Sequence, residues 1–94
     1  MRHSVNKADL VMLISMQTGY DKQTIQNILE SGFHHIRKQM AIGDNVYLRG
    51  FGSFIIKERK EKIGRNLRNN TSLLVPSRRV PYFKPSRTFI DMMK

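Results

Sequence analysis

The apolar positions of this chain change period midway. Residues 6–19 carry Leu10, Val11, Leu13 and Ile14 at i, i+3, i+4 spacing, which predicts a short helix. Asn6 suits the cap, Asp9 stands in the first turn where the helix dipole favours an anion, and Gly19 suits the left-handed stop. Asp21 caps a second helix over residues 22–42. Its Ile25, Ile28, Leu29, Gly32, Phe33, Ile36 and Met40 form one apolar stripe that should be buried, and Gly43 ends it. Gly19-Tyr20-Asp21 joins the two as an αα-hairpin. From Asn45 onward Val46, Leu48, Phe51, Phe54, Ile55 and Ile56 favour strands, with Gly50 and Gly52 marking a tight turn. A charged strand should follow from Ile55 to Lys62, with Asn69-Asn70 as a two-residue type I′ turn and Thr71–Val75 returning antiparallel. A last strand at 79–83 and a helix from Ser86 to Met93, capped by Ser86, complete the pattern.

Charge changes the picture more than length does. The 94 residues suffice for one domain and carry net charge +10. Residues 1–56 hold six basic and four acidic groups, whereas residues 57–94 hold eleven basic and three acidic. A face kept only for solubility mixes both signs, so this asymmetry points to a polyanionic partner, and nucleic acid is the most plausible one. The outgoing strand of the hairpin is mostly charged, and only Leu73, Leu74 and Val75 are apolar on the return. Such a ribbon cannot bury itself. Setting it aside leaves a core of about seventy residues, which is marginal alone. Sharing Phe33, Phe51, Phe54, Phe83 and Phe89 across a two-fold interface would relieve that, with an ordinary monomer core as the simpler alternative.

Other chemistry is sparse. Without cysteine there is neither a disulfide framework nor a thiolate metal site. No apolar run approaches the ~20 residues of a membrane span, and Met1-Arg2-His3-Ser4 reads as a short lead-in without a signal-peptide core. His34 and His35 are about 100° apart on their helix, the wrong spacing for a helical metal pair. No catalytic constellation and no phosphate-cradling glycine loop appears, so the chain is read as a non-enzyme with no cofactor, no metal and no small-molecule substrate.

Four stretches stand in order along the chain: Asn6-Lys7-Ala8-Asp9-Leu10, Gly50-Phe51-Gly52-Ser53-Phe54, Gly64-Arg65-Asn66 and Val80-Pro81-Tyr82-Phe83-Lys84-Pro85, with the basic hairpin between them. Together they resemble the HU/IHF family of bacterial histone-like DNA-bending proteins. The resemblance spans nearly the whole chain. It implies an α+β fold forming an intertwined dimer: a helical base at 6–44, a β saddle from 45–63 and 76–84, a β-ribbon arm at 64–75 and a C-terminal helix at 86–93. It also implies double-stranded DNA as partner, a nucleoid location in the cytoplasm, and arms that enter the minor groove and kink the duplex with an apolar wedge. The family's wedge is usually proline; here Leu67 stands at that position, and Asn69-Asn70 replaces the usual Thr-Gly turn.

On this reading Arg65, Asn66 and Arg68 flank the Leu67 wedge and meet groove and phosphates. Lys57 and Arg59, with Lys60 and Lys62 on the opposite face by alternation, line the outgoing strand. Arg78 and Arg79 stand at the arm's return, Lys84 and Arg87 near the N-terminus of the last helix, and Lys7 on the flank of the body. The expected function is bending and compaction of DNA with little base specificity, since phosphate contacts position rather than specify. A site-preferring, IHF-like role is one alternative. Basic RNA binding is another, disfavoured because no aromatic residue lies between Phe54 and Tyr82 for bases to stack on. A homodimer is expected, a heterodimer with a paralogue being the alternative.

Overall fold

The structure, a computed structural model, describes residues 4–66 and 71–94. The chain is α+β and falls into two compact units, residues 1–37 and 38–94.

Helix α1 spans Lys7–Thr18 and helix α2 spans Lys22–Ala41. The N-terminus of α1 is a complete capping box: Asn6 Oδ1 accepts from the Asp9 N–H and the Asp9 carboxylate accepts from the Asn6 N–H. Gly19, at φ 83°, closes α1 in the left-handed conformation. Asp21 caps α2 by accepting from the Thr24 N–H and hydroxyl, and these bonds hold its carboxyl below the usual carboxylate range. Across the hairpin, the Lys7 ammonium lies 2.9 Å from the Glu30 carboxylate.

The stripe on α2 is not the buried face its spacing predicts. Among the described residues Val11 and Ile25 are the buried apolar side chains; Leu29, Ile36 and Met40 are half-buried, and Phe33 and Ile28 are exposed, Ile28 by 66%. Periodicity reports which side chains share a face, but burial needs something to cover that face.

Strands β1 (Val46–Leu48), β2 (Gly52–Arg59) and β5 (Arg78–Pro85) form an antiparallel sheet in the order β1-β2-β5. Strands β3 (Lys62–Asn66) and β4 (Thr71–Val75) form a separate two-stranded ribbon, and α3 (Arg87–Asp91) ends the chain. The last helix is thus shorter than the Ser86–Met93 expected, although Ser86 caps it as read, its Oγ accepting from the Phe89 N–H.

Two strand expectations are corrected. The charged strand is not continuous from Ile55 to Lys62, because β2 stops at Arg59 and β3 starts at Lys62. Pro76, which stands opposite Glu61 by the register and has no N–H to donate, accounts for the gap. A two-residue turn at Asn69-Asn70 would pair Arg68 with Thr71, yet Thr71 pairs with Asn66. The turn residues and Leu67 lie outside the described residues.

The register fixes the faces of the sheet. Pairs Ser53↔Lys84, Ile55↔Tyr82, Lys57↔Val80 and Arg59↔Arg78 share one face, with Tyr47 across from Ser53. Pairs Phe54↔Phe83 and Ile56↔Pro81 share the other, with Val46 and Leu48. On that second face Phe83 is the hub of an aromatic cluster, its ring centroid 4.9 Å from Phe54, 5.2 Å from Phe51 and 6.2 Å from Phe89. Gly52 is buried beneath it: a Cβ there would stand 2.6 Å from the Phe83 ring and 2.7 Å from the Lys84 carbonyl.

Candidate nucleic-acid interface

One face of the three-stranded sheet gathers Lys57, Arg59, Arg78 and Lys84 with no carboxylate among them. This follows from alternation: every second residue of β2 and β5 faces the same way, and the cations fall on the same parity as Tyr47, Ile55 and Tyr82. The Lys57 ammonium sits 3.9 Å from the centroid of the Tyr82 ring, an attraction that fixes the long side chain against the sheet. Four cations of one sign on a paired, rigid surface favour a polyanion whose charges repeat along a line.

The neighbouring arginines of β5 part company. Arg78 joins the cationic face, whereas Arg79 points to the apolar face, where its Nη2 donates to the carbonyl of Ala41 at 3.3 Å. That oxygen is among the last of α2, which have no partner within the helix. Their adjacency in sequence hid this split.

The remaining expected residues are dispersed. Lys60 stands in the unpaired gap, and Lys62 opens β3 opposite Val75. Because the strand is interrupted between them, the alternation used to oppose them to Lys57 and Arg59 is not that of one continuous strand. Arg59, Lys60, Lys62, Arg78, Glu61 and Pro76 together line a cleft of about 350 Å3 at the root of the ribbon. Arg65 and Asn66 are on β3, paired with Ser72 and Thr71; Leu67 and Arg68 lie outside the described residues. Lys7 begins α1 in the N-terminal unit, with its charge directed at Glu30. That ammonium, followed by Gln26, holds the Glu30 carboxyl below its ordinary range. Arg87 opens α3 and lies 3.3 Å from Asp91.

Three contributors were not picked out from the sequence. Arg49 lines a second cleft of about 340 Å3 with Lys84, Arg87, Ser53 and Ser86; its only local signal was a cation beside Gly50. Tyr82 needed the register to be placed beneath Lys57. Asn45 extends the edge of the sheet by accepting from the Ile56 N–H at 3.0 Å.

Comparison with known proteins adds the following. A family model described as bacterial DNA-binding protein matches residues 5–94. DNA-binding protein HU of Geobacillus stearothermophilus is 31% identical over 90 residues, covering 96% of this chain and 100% of that protein. Integration host factor subunit alpha of an Anaeromyxobacter strain is 31% identical over 83 residues, covering 88% and 84%. Among solved structures, an Anabaena HU–DNA cocrystal structure superposes with a TM-score of 0.89 at 32% identity, covering 95% and 97% of the two chains. HU from Thermotoga maritima shares the fold, with a TM-score of 0.68 at 23% identity.

Proposed function

The chain belongs to the bacterial DNA-binding protein family, alongside HU and the integration host factor subunits, and on that premise we propose that it is an architectural protein that bends and compacts double-stranded DNA with little base specificity. The observation that carries the reading is the sheet face bearing Lys57, Arg59, Arg78 and Lys84. A duplex offers phosphates at regular spacing along both strands, and each contact releases condensed counterions, so such a face gains affinity without reading sequence. In the Anabaena cocrystal it is HU that is bound to DNA. The β3–β4 ribbon supplies the arm that enters the minor groove, and Arg65, Asn66 and Arg68 serve it there, with Leu67 as the wedge that offsets unstacking by giving access to a larger contact surface.

The working unit in this proposal is a homodimer. Exposed apolar residues on both helices, among them Leu10, Leu13, Ile28 and Phe33, supply the surface that a second copy would cover. A place on the nucleoid follows from this reading; no described helix is long and apolar enough to cross a membrane.

Fluorescence anisotropy over a salt series tests the proposal, with a plain duplex, a nicked duplex and a duplex RNA of equal length. DNA binding that weakens steeply with salt and strengthens on the nicked duplex supports bending by backbone contact. Equal affinity for all three reduces the chain to a generic polycation. Sedimentation at the same concentrations should give twice the chain mass.

A further inference from the structure

The Gly52 end of the sheet holds a second grouping of cations, and an aromatic ring stands at its edge. Tyr47, Ser53 and Lys84 form one row across β1, β2 and β5, on the same face of the sheet. Beyond that row Arg49, Ser86 and Arg87 follow the ends of β1 and β5, and these six line the cleft of about 340 Å3. Two apolar side chains and two glycines complete the lining, which contains no acid. The carboxylate of Asp91 stands outside it, 3.3 Å from the Arg87 Nε. The Tyr47 ring is 70% exposed, yet it is tethered. Its hydroxyl accepts from Asn45 Nδ2 at 3.3 Å, and Asn45 is itself tied to β2 through the Ile56 N–H. A tyrosine that served only as polar surface would gain nothing from that tether.

We infer that this cleft binds a nucleoside phosphate whose base is unpaired, the base stacking on Tyr47 and the phosphate meeting Arg49, Lys84 and Arg87. The ring is what separates the cleft from a plain phosphate contact. In an intact duplex the flat faces of the bases are covered by their neighbours, so backbone contact uses cations and leaves a tyrosine nothing to stack on. A single nucleotide bares such a face, and stacking on an aromatic ring tolerates any base. The dimensions suit one ligand of this kind. Neighbouring strands lie about 4.8 Å apart, so Tyr47 and Lys84 stand roughly 10 Å apart with Ser53 between them. That places an aromatic face at one end, a hydroxyl in the middle for the sugar, and a cation at the other end for the phosphate. The volume is at the small end of ligand sites. Ser86 adds a donor, because its Oγ accepts from the Phe89 N–H and keeps its own proton for a phosphate oxygen. Lys84 also belongs to the cationic sheet face, so an occupied cleft and a bound duplex would each weaken the other. The site was hidden in the sequence because its residues come from three separate segments that only the register brings together.

The test titrates the full chain, isotopically labelled for amide NMR, with adenosine monophosphate and with ribose phosphate, which has the anion but no base. Adenosine monophosphate should shift the amides of Tyr47, Ser53 and Ser86 together and bind roughly tenfold more tightly than ribose phosphate. In Tyr47→Ala that ratio should fall toward one, while Tyr47→Phe, which keeps the ring, should retain most of it; circular dichroism checks that both variants are folded. A second arm asks where the nucleotide comes from. A duplex with a short single-stranded tail is compared with the same duplex blunt, and any affinity added by the tail should vanish in Tyr47→Ala when the cleft takes a strand end. Binding of adenosine monophosphate without such a gain assigns the cleft to a free nucleotide. A folded Tyr47→Ala that keeps both the wild-type ratio and the wild-type gain from the tail overturns the inference. So does wild-type protein that shows neither, or whose shifts spread over the Arg59–Arg78 cleft as much as over this one. Those outcomes leave DNA bending standing, whereas failure to bind any duplex with adenosine monophosphate still bound would remove the bending reading and leave this site.

Discussion

The two faces of the β2–β5 pairing are built from the same eight residue pairs and have opposite characters. One face is packed in part from within: Phe51, Phe54 and Phe89 gather around Phe83, which lies over Gly52, and Arg79 turns back to a helix carbonyl. The other is left open, its four cations with no acid among the β2–β5 pairs of that face and one of them resting on Tyr82. The lesson is that role follows parity on the strand rather than neighbourhood in the sequence. Residues one position apart stand on opposite faces, Arg79 bonded to a helix carbonyl and Arg78 among the cations.

Substitutions can pull these two roles apart. The largest effect is expected on the closed face. Phe83→Ala removes the hub of the cluster and should cost about 3 kcal/mol, read as a fall in Tm by calorimetry. Gly52→Ala should act similarly through overpacking, by about 2 kcal/mol, since both a ring and a backbone oxygen lie within 2.7 Å of the new methyl. Equal stability of either variant and the wild type would mean that the face is not closed as described.

The open face should respond in the opposite sense. Lys57→Ala and Arg59→Ala should leave Tm nearly unchanged while lowering the slope of log affinity against log salt by about 1 for each phosphate no longer neutralised. The sharpest version compares neighbours: Arg78→Ala should reduce the salt slope, whereas Arg79→Ala should lower Tm slightly, by about 0.5 kcal/mol for one exposed hydrogen bond, and spare the slope. Reversed results would mean that the parity assignment is wrong.

The smallest effect belongs to the helical unit. The Glu30 carboxyl is held below its ordinary value by Lys7, so its contribution to stability is present above the ordinary glutamate value near pH 4.5 and is lost as pH falls through the lowered native one. Glu30→Gln should therefore lower Tm slightly at neutral pH and flatten the acid limb of a pH–Tm profile, the difference from wild type vanishing at low pH.

What could be read from the sequence depended on range. Asn6 with Asp9, Gly19, Asp21 and Ser86 are caps whose partners lie within five residues, and each acts as its local pattern predicts. The four signature stretches placed the chain in its family. That Arg78 and Arg79 face opposite ways follows from strand alternation, but which of them joins Lys57 and Arg59 depended on pairing across a long connection. The gap after Arg59 required knowing that Pro76 comes to stand opposite Glu61. The α2 stripe was correctly seen as one face, but its cover is not within the chain's described residues.

The matched gap at 60–61 and 76–77 carries a rule for how this ribbon can change over evolutionary time. Losing or gaining one residue on one strand would break the pairing beyond it. One residue on both strands would keep the pairing but turn the ribbon's surface over relative to the sheet. Only steps of two on each strand at once preserve both, so viable length variants of this arm should come in multiples of four residues.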